Sequence, residues 1–298
     1  MLDNMVFAAI DIGSNAMRLL FCRVQSHGKK VKYSKEELIR MPIRLGEDVF
    51  NSGEISNLKQ KKLFSALKGF KHLIDAYEVN AYRAVATSAM RDAKNGDEIL
   101  NKINEEIGLK IETIDGKDEA SLIFSNHTED VLNPKSAYLY IDVGGGSTEL
   151  TLYSNGKVLA AKSFNIGTLR MLYNKLDPEA FDTMKKWIRK YTEGVHPISA
   201  VGSGGNINKL FKMSGKKETR HLSFEKLKSM YEMLNAYTVE ERIQLFNLKP
   251  DRADVISYAA KIFITVMKNA DINKVHVPQI GVSDGIIHEL YNEFKSKK

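Results

Sequence analysis

Two carboxylates bracket a run of three glycines in the stretch "YIDVGGGSTEL", Tyr140 to Leu150. Asp142 closes the apolar run before the glycines, and Glu149 follows them after a Ser-Thr pair. A simple hairpin turn asks for one glycine, so three call for a further reason. Glycine lets a backbone approach a ligand without a Cβ, and successive N–H groups at such a turn make a concave anion site. Hard carboxylate oxygens beside a phosphate are the usual means of holding Mg²⁺. Together these residues suggest phosphate chemistry assisted by a divalent cation.

The same grammar occurs earlier in the chain. Ile10-Asp11-Ile12-Gly13-Ser14-Asn15 matches Ile141-Asp142-Val143-Gly144-Gly145-Gly146 in strand, Asp, apolar residue and Gly. Each Asp is followed seven positions later by a charged residue, Arg18 in one case and Glu149 in the other. The repeat implies two related domains, each offering a strand–turn–strand loop to a shared cleft. A third turn, "VGSGGNINKL", carries Gly202, Gly204 and Gly205, follows a strand and opens a helix, where N–H groups also favour phosphate. It lacks the Lys-Ser/Thr of a P-loop and the third glycine of a dinucleotide fingerprint. The seven histidines show no paired spacing for zinc.

The elements that must position these loops follow from periodicity. "MVFAAIDI", "MRLLFCRV" and "VKYSKEELI" alternate as strands, and apolar residues at Leu63, Leu67, Phe70, Ile74 and Tyr77 make Ser56–Tyr77 an amphipathic helix. A strand "AYRAVA", a helix over about 96–107, a strand "LKIETID" and a helix "KDEASLIFSNHTEDVL" follow. The pattern then restarts with the strands "SAYLYIDV", "STELTLY" and "KVLAAKSF", a strand "ISAVGS" and a largely helical remainder. That remainder includes a capping box at Thr238-x-x-Glu241, one helix over Arg252–Asn269, a strand "KVHVPQI" and a last helix over Asp284–Phe294. The expected division is residues 1–132 and 133–283, with a boundary near Leu132–Lys135 and the helix 284–298 returning to the first domain.

The 298 residues suffice for two such domains, and 43% hydrophobic with 27% charged content is ordinary for a globular chain. The net charge of +7 comes mostly from lysines spread over helices, as in "NLKQKKLFSALKGFKHL". No finger spacing or aromatic–basic signature accompanies it, so the reading is no nucleic acid and a mild field suited to a polyanion. No apolar run is long enough for a membrane, and the N-terminus does not read as a signal peptide. A single cysteine, Cys22, in a strand-like run reads as a buried thiol and a cytoplasmic setting.

The motifs in order resemble the exopolyphosphatase / guanosine-pentaphosphate phosphohydrolase (Ppx/GppA) family of the sugar-kinase, chaperone and actin superfamily. "AAIDIGSNAMRLLF" and "YIDVGGGSTEL" look like its two phosphate loops. "AVATSAMRDAKNGDEIL", "IDGKDEASLIF", "AVGSGGNINKL" and "KPDRADVI" look like its intervening segments. The resemblance implies two ribonuclease-H-like (actin-like ATPase) domains, each a mixed β-sheet flanked by helices, with an active-site cleft between them. It implies Glu119 as catalytic base, and Asp142 and Glu149 as ligands of Mg²⁺ or Mn²⁺. It further implies phosphate binding by Asp11, Gly13, Ser14, Asn15, Arg18, Thr87, Ser88, Arg91, Gly144, Gly145, Gly146 and Ser147, with Gly202, Gly204 and Gly205 at the third turn. The implied substrate is inorganic polyphosphate or guanosine pentaphosphate, and a homodimer is left open.

The chain departs from the family pattern at two places. Ser283 stands where the family's Gly-x-Arg-Glu-Gly has Arg, and Asp118-Glu119 stands where paired glutamates are common. Alternatives to exopolyphosphatase are a pentaphosphate phosphohydrolase, a kinase or ATPase of the same superfamily, and a module that binds polyphosphate or an alarmone without turnover.

Overall fold

Both halves of the chain start with a three-stranded meander, because in both an alternating apolar strand is followed by a tight four-residue turn. The computed structural model describes residues 3–28, 30–125, 136–195, 197–215 and 221–296. It divides into one unit made of Met1–Asn126 with Val282–Lys298, and another made of His127–Gly281. The boundary expected near Leu132–Lys135 lies outside the described residues, as does the later part of the helix expected there.

The first unit runs β1 (Asp3–Ile12), β2 (Met17–His27), β3 (Lys30–Met41), α1 (Leu45–Ser52), α2 (Asn57–Ala76), β4 (Ala81–Ala86), α3 (Ser88–Asp92), α4 (Gly96–Ile107), β5 (Ile111–Thr113) and α5 (Gly116–Ser125). Its sheet has the order β3-β2-β1-β4-β5, antiparallel through the meander and parallel from β1 to β5. The second unit runs β6 (Ala137–Val143), β7 (Thr148–Ser154), β8 (Lys157–Phe164), α6 (Thr168–Leu172), α7 (Ala180–Thr192), β9 (Ile198–Ser203), α8 (Gly205–Met213), β10 (His221–Ser223), α9 (Phe224–Asn235), α10 (Val239–Phe246), α11 (Pro250–Ala253), α12 (Ile256–Asn269) and β11 (Lys274–His276). Its sheet order is β10-β11-β9-β6-β7-β8. The run β8-β7-β6-β9-β11 repeats the order and strand directions of the first sheet. Two mixed sheets flanked by helices are thus built to one plan.

The last helix, α13 (Val282–Ser296), packs within the first unit. Its Ile286, Ile287, Leu290 and Tyr291 join Phe7, Ala9, Leu20, Val85 and Leu122 in one core cluster. In the second unit Leu139, Ile141, Leu150 and Leu152 face a core with Ile188, Leu210, Phe263 and Val266. Alternation leaves Tyr138, Tyr140 and Asp142 on the other face of β6. Cys22 is buried within β2, and burial pushes its thiol up to about 11. The thiol is therefore protonated and unreactive at neutral pH.

One helix goes unread in the sequence, and two local readings are corrected. The segment 45–52 forms α1, which periodicity over so short a run does not reveal. Arg252–Asn269 is not one helix: it breaks at Asp254-Val255, where Val255 N–H bonds back to Arg252 in a tight turn. The strand expected over "KVHVPQI" stops at His276, because Pro278 has no N–H to continue a ladder.

Candidate functional site

The seven-residue offset from each Asp becomes a direct cross-strand pair. Asp11 lies opposite Arg18 on β1 and β2, and Asp142 lies opposite Glu149 on β6 and β7. Each hairpin closes with the same bond, Gly13 N–H to Ala16 O at 3.1 Å and Gly144 N–H to Ser147 O at 2.9 Å. The first pair is a complementary one, with Arg18 donating to Asp11 at 2.6 Å. In the second, two carboxylates face each other with oxygens within 4.8 Å, and both side chains are buried. Like charges placed opposite in a sheet repel.

Serine hydroxyls fix both acids. Ser203 Oγ donates to Asp142 Oδ1 at 2.6 Å, and Ser163 Oγ donates to Glu149 Oε1 at 2.8 Å. Ser163 is the β8 residue in register with Glu149. Gly204, at φ 98°, lies so close that a Cβ there would stand 3.0 Å from Asp142 Oδ1. The third glycine turn thus supports the Asp142 carboxylate. Two buried, oriented oxygen donors on adjacent strands fit a hard divalent cation such as Mg²⁺ or Mn²⁺.

A short helix after the third strand of each meander holds the loop. In the second unit the carbonyls of Gly144 and Gly145 accept from the N–H groups of Thr168 and Leu169, at 3.1 and 2.8 Å. The Arg170 side chain donates through Nε to the Gly146 carbonyl at 2.8 Å. In a planar trans peptide the C=O and the following N–H point opposite ways. Three carbonyls turned to α6 therefore turn the N–H groups of Gly145, Gly146 and Ser147 away from it. This close seat requires Gly167, whose Cβ would overlap the Gly145 carbonyl, 2.5 Å from its carbon. In the first unit the carbonyls of Ser14 and Asn15 accept from Gly46 and Arg44 at the start of α1, at 2.9 and 3.0 Å.

Other expected residues gather near the first loop. Thr87 and Ser88 are buried at the start of α3, and the hydroxyls of Ser88 and Ser14 are 2.7 Å apart. Arg91, at the end of α3, donates through Nη1 to the Ile114 carbonyl at 2.9 Å. Gly205 is the first residue of α8. Gly202 has a different position: on β9 its Cβ would lie 3.0 Å from Phe263 and from Val275, so packing against the core accounts for this glycine. Ser283 is buried in the first turn of α13.

Glu119 is in the first turn of α5 and only 7% exposed, unlike the solvated carboxylate common at helix starts. Glutamate is rarely buried to this degree without a purpose or a partner. Asp115 starts the helix, its Oδ1 accepting from Lys117 and Asp118 N–H at 2.7 and 2.9 Å. The N–H groups of Asp118 and Lys117 hold the Asp115 carboxyl below the usual carboxylate range. Sequence reasoning missed Ser163, Ser203, Gly167 and Arg170. A glycine before the helical "TLR" is the one signal for the brace, and the serines needed the strand register.

Among known proteins, the sequence profile of the Ppx/GppA phosphatase family matches residues 37–294. The chain is 29% identical to a bifunctional 3-dehydroquinate synthase/phosphatase of Fusobacterium nucleatum, over 91% of this chain and 46% of that protein. It is 25% identical to a guanosine-5′-triphosphate,3′-diphosphate pyrophosphatase of Photobacterium profundum, over 97% of this chain and 60% of that protein. The chain thus spans about half the length of these curated relatives. Among solved structures, a Ppx/GppA family member of Aquifex aeolicus superposes with a TM-score of 0.76 at 26% identity, covering 98% of this chain and 99% of that one. An exopolyphosphatase of Cytophaga hutchinsonii shares the fold, with a TM-score of 0.81 at 22% identity over 97% and 98% of the two chains. With the motif order, the repeated sheet plan and the profile match in agreement, the chain belongs to the Ppx/GppA phosphatase family.

Proposed function

We propose that this protein is a metal-dependent exopolyphosphatase that hydrolyses the terminal phosphoanhydride of inorganic polyphosphate and releases orthophosphate. The observation that carries the reading is the Asp142–Glu149 pair. Two buried acids face each other where the equivalent hairpin has an acid and a base, and they flank a loop whose N–H groups are turned away from α6. Family membership supplies the reaction class.

In this reading Asp142 and Glu149, held by Ser203 and Ser163, are the ligands of Mg²⁺ or Mn²⁺. When bound, such an ion offsets negative charge on the phosphoryl oxygens. The N–H groups of Gly145, Gly146 and Ser147 bind oxygens of the phosphate chain. Gly13, Ser14 and Asn15 do the same from the first loop, with Thr87, Ser88 and Arg91 beside them. Arg18 exchanges part of its bond with Asp11 for a phosphate oxygen. Glu119 takes the proton from the attacking water, a role worth about 10²–10⁴-fold in rate. Phosphoryl transfer needs little else beyond in-line positioning and charge stabilisation. The single buried cysteine fits a reducing, cytoplasmic setting.

A second substrate has a specific support: the Photobacterium profundum relative is named for guanosine-5′-triphosphate,3′-diphosphate, which also ends in a phosphoanhydride. Phosphate release measured side by side on long polyphosphate, short polyphosphate, guanosine pentaphosphate and ATP separates the readings. Polyphosphate should give the highest kcat/KM. A preference for the pentaphosphate would assign the second activity, and turnover of ATP alone would reject both.

A further inference from the structure

Gly285 of α13 touches the backbone of α5. A Cβ at Gly285 would overlap the Leu122 carbonyl oxygen, stand 2.5 Å from its carbon and 3.0 Å from the Leu122 Cα. Leu122 is one helical turn beyond Glu119, so the contact bears on the segment that carries the proposed base.

The sheet holds α13 on several sides. Asp284 pairs with Lys35 of β3 at 2.7 Å, and Glu289 pairs with Arg83 of β4 at 2.5 Å. The ring of His288 stacks on Tyr33 with centroids 3.8 Å apart, while Tyr291 and Phe294 meet Phe7 edge-on at 6.4 and 6.0 Å. Ile286 and Ile287 are buried between these contacts. A side chain added at position 285 meets a helix fixed on one side and the short α5 on the other. With these ties on α13, the displacement is assigned to α5, whose Leu122 and Ile123 share the same core cluster.

We propose that Gly285 is a positioning residue: through its backbone contact with Leu122 it sets the depth of α5 and so the placement of the Glu119 carboxylate. The inference rests on Glu119 being the base. Gly285→Ala must move the Leu122 carbonyl by about 1 Å, and a displacement of that size at a catalytic group costs about 10²-fold. The loss falls on kcat, because α5 contributes none of the phosphate-binding loops.

The test compares Gly285→Ala with Leu290→Ala, a change in the same core cluster that loosens packing without adding a group against the Leu122 backbone. Gly285→Ala should lower kcat for polyphosphate at least tenfold and leave KM within threefold, a split that a merely structural loss would not produce. Leu290→Ala should lose as much thermal stability and keep kcat within twofold. Asp284→Asn added to Gly285→Ala frees the start of α13 and should recover at least threefold in kcat. Equal kcat losses in Gly285→Ala and Leu290→Ala, or no loss in either, overturn the proposal. Failure of both Gly285→Ala and the double variant to fold would make Gly285 a folding residue and also overturn it. A crystal structure of Gly285→Ala gives a readout independent of catalysis: α5 displaced with α13 in place supports the role, and the reverse rejects it. Should Glu119→Gln keep its activity, the base assignment falls by itself, and the structure still decides what Gly285 positions.

Discussion

Asp142 and Glu149 occupy the same cross-strand positions as Asp11 and Arg18, but with the basic partner replaced by an acid. Exchanging a cation for a second anion at a buried pair is unfavourable unless a cation is supplied from elsewhere. That difference divides the labour between the two hairpins, one internally neutralised and one suited to a dication.

Removing either acid should therefore weaken the metal response. Asp142→Ala and Glu149→Ala should each raise the Mg²⁺ or Mn²⁺ concentration for half-maximal activity at least tenfold and lower kcat. Metal titrations of phosphate release check this. Full activity in excess EDTA would contradict the ligand assignment.

The Arg170 bond to the Gly146 carbonyl predicts a different kinetic signature. Arg170→Ala releases one of the carbonyls that set the loop, so phosphate binding should suffer more than the chemical step. KM should rise about three- to tenfold, in line with the roughly 0.5–1.5 kcal/mol net worth of one hydrogen bond. Steady-state kinetics on short polyphosphate would show it, and an unchanged KM would separate Arg170 from the loop's function.

Acid should loosen the packing of α13. Burial lowers the pKa of His288 below its ordinary value, with Asp284 opposing, and burial also lowers that of His276. A histidine depressed in the folded state binds more protons unfolded, so its stabilisation is complete above the ordinary pKa of about 6.5 and declines as pH falls through it. Between pH 8 and 5.5 the Tm of wild type should fall more than that of His288→Phe, which keeps the ring on Tyr33. Identical slopes in thermal melts would remove His288 from the account.

Much of the site was readable because it rests on local grammar. The spacing Asp11 to Arg18 and Asp142 to Glu149 is that of a four-residue turn between paired strands, and strand alternation puts both members on one face. Residues recruited over distance were not readable. Arg170 reaches back to Gly146 from the far side of β8, and Gly285 meets Leu122 only because α13 returns to the first sheet. Gly202 shows the opposite failure: a glycine in a glycine-rich turn that is there for the core. Composition cannot distinguish a glycine that admits a ligand from one that admits a phenylalanine ring.

The most direct test of the proposed mechanism is the kcat of Glu119→Gln on polyphosphate with saturating Mg²⁺, read beside its affinity for the chain. Glutamine keeps the shape of the buried side chain and cannot accept the proton. Loss of the base should lower kcat by at least about 10² and leave binding within a few-fold of wild type. A variant that keeps more than about a tenth of the wild-type kcat, where a missing base should remove nearly all of it, would contradict the base assignment.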